Sequence, residues 1–239
     1  MKGRYHIEEG ETIATVLCEK EYLDVALKEI RKQRWELIDY MQMDPMFKIS
    51  FEPHECRESA PEIVKLMASA ASKMGVGPMA AVAGAIAHFA IRAMQEKGAS
   101  HAVVDNGGDI ALLLAEPLTV GIFAGESTIK DIGFRFEPRK GIFGICTSSG
   151  TVGPSTSLGN ADAAMVIAGD AIIADAAATA LGNAVKKDTK ASIDNALGEV
   201  GHRDLEGMVV ITRNHIGVWG KVPPFIKVDN DYDLITKGN

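Results

Sequence analysis

Asp175 and Thr179 lie four residues apart in "AIIADAAATALGNAV" (171–185), a stretch otherwise built almost wholly from alanine and aliphatic side chains. On a helix that spacing puts both on one face. A carboxylate beside a hydroxyl is hard-oxygen chemistry, suited to Mg²⁺ with waters and phosphate oxygens completing the shell. A plainer explanation is that Asp175 sits in the first turn and complements the helix dipole, while Thr179 bonds back to a carbonyl. A second constellation is "VVDNGGDI" (103–110). Gly107 and Gly108 allow a backbone to approach a ligand closely, with Asn106 and Asp109 offering oxygens, and the same residues are ordinary hairpin-turn chemistry. A third is "CTSSGTVGPSTSLGN" (146–160). Thr147, Ser148, Ser149 and Gly150 open a run of hydroxyls and amides that suits a phosphate or pyrophosphate. No G-x-G-x-x-G follows a strand and no P-loop lysine is present, so neither dinucleotide fingerprint nor P-loop ATPase applies.

Sulfur offers a different chemistry. Cys56, in "PHECRES", precedes an expected helix and stands near His54 and Arg57. A thiol near a cation or a helix N-terminus ionises more readily and could carry a persulfide or cycle as a redox thiol, with Cys146 as its partner. Cys18, inside "TIATVLC", reads as a small buried hydrophobe. Three widely spaced cysteines make neither a disulfide framework nor a cysteine-rich zinc site.

Taken in order, "GPMAAVAGAIAHFAIRAMQEKGASHAVVDNGGDI", "CTSSG" and "ADAAATALG" resemble the motifs of the ApbE-like superfamily of flavin transferases, over about residues 77–183. The chain looks closest to the cytosolic, uncharacterised branch. The resemblance implies an α+β fold, FAD with Mg²⁺, and transfer of FMN to a threonine of an acceptor protein. Carried over by position, Asp175 and Thr179 would be metal ligands, with a main-chain oxygen near Ala80 as a third. Gly107, Gly108 and Asp109, with Thr147 to Gly150, would line the site for FAD or FMN. Two departures stand out: the family's His-x-x-Asp-Pro-x-Thr-Gly block is missing, and its Lys-Gly reads Ala83-Gly84 here. Three readings follow: metal-assisted flavin-nucleotide transfer or pyrophosphate cleavage using Asp175, a sulfur-handling protein using Cys56, and a nucleotide-binding module without catalysis. No general base stands out, because His101 reads as a surface residue at a strand start.

The elements that must position these groups follow from periodicity. Two short strands are expected at about 4–9 and 12–18, then a helix carrying Leu23, Ala26, Leu27, Ile30, Leu37, Ile38 and Met41 at helical spacing and ended by Asp44-Pro45. "FKISF" reads as a strand and about 61–73 as a helix. "GVGP" breaks that run, and a small-residue helix starts at Pro78 and closes at Lys97-Gly98. Beyond His101 the runs "HAVVDNGGDIALLL", "TVGIFAG", "IGFRF", "GIFGIC" and "AAMVIAG" are strand-like, 171–185 is a helix, and "TKASIDNALGEV" is a short one. Strands near "GMVVITR", "IGVWG" and "FIKV" finish the chain. Strands clustered between helices predict an α+β protein with layered antiparallel or mixed sheets, and no Rossmann alternation.

With 239 residues, 46% apolar and 24% charged, the chain can form one sizeable domain over 1–239. A net charge of -7 argues against nucleic acid or an anionic membrane as partner. Lys28, Arg31, Lys32 and Arg34 read as the solvated face of a helix. No signal-peptide core and no run of ~18 apolar residues is present, so the expected location is the cytoplasm. A homodimer is the base-rate expectation.

Overall fold

The computed structural model describes residues 2–150 and 159–228. The chain begins with a hairpin, β1 (Lys2–Glu9) and β2 (Thr12–Glu19), then helices α1 (Lys20–Met43), α2 (Pro45–Ile49) and α3 (Glu62–Met74). A 3₁₀ turn (Pro78–Ala81) leads into α4 (Val82–Glu96). Strands β3 (Ala102–Asn106), β4 (Asp109–Leu114), β5 (Leu118–Gly121), β6 (Ile132–Phe136), β7 (Arg139–Ser148) and β8 (Ala163–Ala168) follow. Helices α5 (Ala171–Ala184) and α6 (Lys190–Val200) precede β9 (Leu205–Ile211), β10 (Ile216–Gly220) and β11 (Phe225–Lys227).

Eight strands form one antiparallel sheet in the order β1-β2-β3-β4-β7-β8-β9-β10, and β11-β6-β5 form a second. The architecture is α+β, as the clustering of strands implies. Side chains alternate between the two faces of the large sheet with the strand period of two. Ala102, Val104, Ala111, Cys146, Ala164, Val166, Ala168, Met208 and Val210 face the core beneath the helices. Val103, Leu112, Phe143, Ile145, Met165, Ile167, Val209 and Ile211 pack on the other side with Phe134 and Phe136 of the small sheet.

The helix-facing side carries mostly small groups, and this is what admits α5. That helix is buried along residues 171–178. A Cβ on Gly144 of β7 would collide with Cα of Ala171, and one on Gly84 of α4 would collide with the carbonyl oxygen of Ala171. The N-terminal end of α5 is therefore clasped between two glycines. Its alanines are a packing requirement, because larger side chains would force the layers apart.

Most expected elements are present, with one correction. "FKISF" does not form a strand; residues 45–49 are a short helix. Pro45 has the backbone angle of a first helical turn and needs no amide partner there, and Phe47 supplies the buried contact. α3 ends where Gly75 takes a left-handed conformation (φ 68°), as "GVGP" predicts. Among the described residues no single helix is long and apolar enough to cross a membrane.

Candidate functional site

The strand-pairing register closes the β3–β4 hairpin with Asn106 opposite Asp109, so Gly107 and Gly108 are its two turn residues. Both have positive φ (71° and 99°), which only glycine adopts without strain, and their absent side chains leave the turn's outer surface bare. Asp105 Oδ1 accepts the Gly108 N–H at 2.9 Å and fixes the turn from beneath. Asn106 is buried and donates through Nδ2 to the carbonyl of Ala83 at 3.1 Å, tying the hairpin to the start of α4.

α4 has no side-chain cap of its own. Asp175, projecting from α5, supplies one: its Oδ2 accepts the Gly84 N–H at 2.8 Å, and the Ala83 N–H also bonds to this carboxylate. The cap of α5 itself is Asp170, which accepts the amides of Ile172 and Ile173 at 2.9 Å each. Asp175 thus lies past the first turn of its own helix, and its charge sits at the N-terminus of a neighbouring one.

The same carboxyl hydrogen-bonds to Asp109, although 66 residues separate the two in sequence. Two carboxyls in that contact require one of them to hold a proton. Burial lifts Asp175 from the ordinary carboxylate range to about 7, against the downward pull of the Gly84 and Ala83 amides. Burial also holds Asp109 well above its ordinary range, and the charge of Asp175 adds to this; the Cys146 thiol and the Thr147 N–H pull it back. No basic group is among those acting on Asp175.

Thr147 and Ser148 are the last residues of β7, with Ser148 and Ser149 nearly buried and Gly150 exposed. Gly150 donates to the carbonyl of Ala161 at 2.9 Å, so the strand end and residue 161 form one rim. Residues 151–158 of the expected serine/glycine loop lie outside the described residues. Thr179 is half-buried one turn beyond Asp175 and makes no side-chain hydrogen bond among the described residues. Ala80 is partly exposed in the 3₁₀ turn before α4. The fold therefore brings Asp175, Asp109, the Gly107-Gly108 turn and Thr147 into one neighbourhood. Asp105 escaped the sequence reading, although an aspartate three residues before an amide in an Asn-Gly-Gly turn is a recognisable cue.

The cysteines are arranged otherwise. Cys146 is fully buried under α5, its thiol 3.4 Å from the Ala171 carbonyl. Burial pushes that thiol well above its ordinary value, and Asp109 and Asp175 push it further, the reverse of an activated thiolate. Cys56 is half-buried on the connection between α2 and α3. The groups expected to activate it are engaged: His54 Nε2 is 3.0 Å from Asp44 Oδ2, and the Arg57 guanidinium donates to the Met43 carbonyl at 3.1 Å. Both thiols are free. His101 also differs from expectation. It is buried at the opposite end of β3 from the turn, its Nδ1 without a partner among the described residues, and burial lowers its pKa.

A family model described as "AbpE bacteria" matches residues 1–213. The chain belongs to the ApbE family. Its relatives include a UPF0280 protein of Methanococcoides burtonii, 45% identical over 235 residues, covering 98% of this chain and 99% of the relative. Among solved structures, the apo flavinyl transferase ApbE of Pseudomonas stutzeri superposes with a TM-score of 0.59 at 11% identity, covering 100% of this chain and 98% of that one. The ApbE protein of Thermotoga maritima gives 0.54 at 11% identity, with full coverage of both. At such identities the two structures establish a shared fold, and residue roles rest on local chemistry.

Among the described residues no three His, Cys, Asp or Glu side chains gather as a metal cluster. The donors present still fit a hard divalent cation. Two carboxyls share a proton without a basic partner, and a hard cation in the proton's place would let both ionise. A main-chain oxygen, a hydroxyl, water and ligand phosphate are the usual completing donors.

Proposed function

We propose that this ApbE-family protein binds a flavin nucleotide, FAD or FMN, together with Mg²⁺, and that it transfers or cleaves at the FAD pyrophosphate. The observation that carries this reading is the pair formed by buried Asp175 and half-buried Asp109, with no basic partner among the described residues, set beside a bare Gly-Gly turn. Asp175 and Asp109 would hold the cation, with Thr179 and the main-chain oxygen of Ala80 completing the set. Bound there, Mg²⁺ would offset charge on the pyrophosphate oxygens.

The chain's own groups do the rest. The amides of Ala83 and Gly84 fix the Asp175 carboxylate, so its geometry is set before any ligand arrives. Asn106 holds the turn against α4, and Gly107 and Gly108 present a surface without side chains to the nucleotide. Thr147 to Gly150 form the facing rim, where hydroxyls and amides suit phosphate oxygens. In the transfer reaction an acceptor hydroxyl oxygen bonds to the FMN phosphorus and gives up its proton to water, while the bridging P–O bond breaks and AMP leaves with that bond's electron pair. The acceptor is a protein threonine in this reading, or water in the cleavage variant. Three free thiols fit a reducing compartment, so the cytoplasm belongs to the same proposal.

The test is equilibrium binding of FAD with and without Mg²⁺, followed by chromatography for FMN and AMP. Mg²⁺-dependent binding with AMP release supports the enzyme. Binding without product assigns the chain to the non-catalytic alternative, and absence of binding in either condition rejects both.

A further inference from the structure

We propose that the outer edge of β1 pairs antiparallel with β1 of a second copy of this chain. The two large sheets then join across a two-fold axis, with Arg4 of each copy opposite Glu8 of the other. β1 is the first strand of the eight-stranded sheet and, among the described residues, pairs with β2 alone. That pairing runs from Lys2–Glu19 to Glu9–Thr12 without a register shift, and "KGRYHIEE" holds no proline. β1 therefore lacks the bulge or proline that closes an edge to further pairing. The opposite edge strand, β10, has five residues, and two of them are glycine.

The hairpin decides which groups this edge offers. Glu9 and Thr12 face each other across the two-residue turn Gly10-Glu11, with Gly10 at φ 59°. Such a closing pair exchanges both backbone hydrogen bonds, and alternation then turns the amides and carbonyls of Gly3, Tyr5 and Ile7 toward β2 as well. Those of Arg4, His6 and Glu8 point outward. β2 follows the same alternation: Thr15 and Leu17, paired with His6 and Arg4, stand opposite Asp105 and Val103 of β3 on their other side. Ile7 is buried and Tyr5 packs against the core beneath the helices, so Arg4, His6 and Glu8 share the other face, where all three are exposed. His6 Nε2, 3.2 Å from Glu8 Oε1, holds that carboxylate on this face.

Charge selects the occupant. Along β1 the bases Lys2 and Arg4 come first and the acids Glu8 and Glu9 last. A two-fold axis perpendicular to the sheet at His6 reverses that order on the second copy. It sets Arg4 opposite Glu8 twice, places His6 beside its own copy, and lets the outward groups exchange about six backbone hydrogen bonds. Pairing centred on Tyr5 would instead set Arg4 against His6 and draw Lys2 away from Glu116, which it bonds at 2.7 Å. A parallel copy in register would meet like charge with like. A single strand seam is smaller than the roughly 800 Å² per partner of a standard interface, so the association is reversible and follows concentration.

Sedimentation velocity on the full chain across a wide concentration range reads the association, and circular dichroism checks the fold of each variant. Wild type should pass from the mass of one chain to that of two as concentration rises. R4E and E8R each turn both attractions across the axis into repulsions, and each should dissociate at least about tenfold more readily. R4E/E8R restores opposite charges and should regain the wild-type association, and an equimolar mixture of R4E with E8R should form the mixed dimer. Amide exchange followed by NMR on wild type needs no variant: the amides of Arg4, His6 and Glu8 should slow as concentration rises, and those of Tyr5 and Ile7 should not. A single chain at every concentration overturns the assignment and leaves the edge to a peptide of another protein. A dimer indifferent to R4E and E8R overturns it too, as do single variants that neither the double variant nor the mixture rescues.

Discussion

Replacing Asp175 with asparagine separates its two roles. Its carboxylate accepts the Gly84 N–H at 2.8 Å and the Ala83 N–H, and meets Asp109 through a shared proton. Asparagine keeps an oxygen for the amide of Gly84, and its NH₂ can donate to Asp109 where the proton was. The hydrogen bonds are exchanged rather than lost, so apo stability should change by no more than about 1 kcal/mol. For a chain of this size that is a shift of roughly 2–4 °C in melting temperature. Asp175→Ala instead strands two buried amides at a helix N-terminus. At about 1–3 kcal/mol for each unsatisfied group, it should melt on the order of 10 °C lower. Metal binding orders the variants differently, because asparagine brings no negative charge. Mg²⁺-dependent FAD affinity should fall at least about tenfold in Asp175→Asn, or ~1.4 kcal/mol. Differential scanning fluorimetry and FAD titration on the same preparations read both quantities. If Asp175→Asn melts as low as Asp175→Ala, the shared-proton picture is wrong; if it binds FAD with Mg²⁺ as wild type does, Asp175 is not a ligand.

The pH dependence has a definite sign. Asp175 is raised in the folded state to about 7, so its contribution is fully present below the unfolded carboxylate value and is lost as pH rises through neutrality. Apo melting temperature should therefore fall from pH 6 to pH 8 by this term, fall less steeply in Asp175→Asn, where Asp109 alone remains raised by burial, and flatten in wild type with Mg²⁺; a steeper fall with Mg²⁺ would contradict the site. Gly84→Ala places a methyl against the Ala171 carbonyl and 2.7 Å from Cβ of Asp175. Backbone cannot yield there as a side chain would, so a loss of about 1–3 kcal/mol or more is expected, together with weaker Mg²⁺-dependent binding; thermal and FAD titrations that both match wild type would refute the close packing. Asp188 is held well below its ordinary range, chiefly by the Thr212 hydroxyl at 2.6 Å and then by His215. Its contribution is present above the unfolded value and lost in acid, so Asp188→Asn should flatten the acid arm of the melting profile. An unchanged acid arm would remove Asp188 from that role.

Local signals in the chain determine a good deal. Alternating side chains place the strands, the apolar stripe of 23–41 places α1, and Asn-Gly-Gly-Asp dictates a tight hairpin, because turn geometry and two-residue alternation are set by near neighbours. The small-residue content of 171–185 already states that something packs closely there, and the ordered ApbE-like motifs name the family. What packs closely is beyond local reach. Only the folded chain shows that Gly84 and Gly144 both close on Ala171 of α5, that Asp175 caps α4, and that Asp109 lies against Asp175. Capping rules read from sequence look three or four residues along one helix, whereas these pairs span dozens of residues and depend on which layers meet. The same limit explains "FKISF" (47–51), whose apolar alternation suggests a strand, whereas Pro45 and the burial of Phe47 make 45–49 a helical turn. Sequence thus supplied the groups and their local geometry; tertiary packing decided which carboxyl faces which, because a shared proton depends on distance in space and not along the chain.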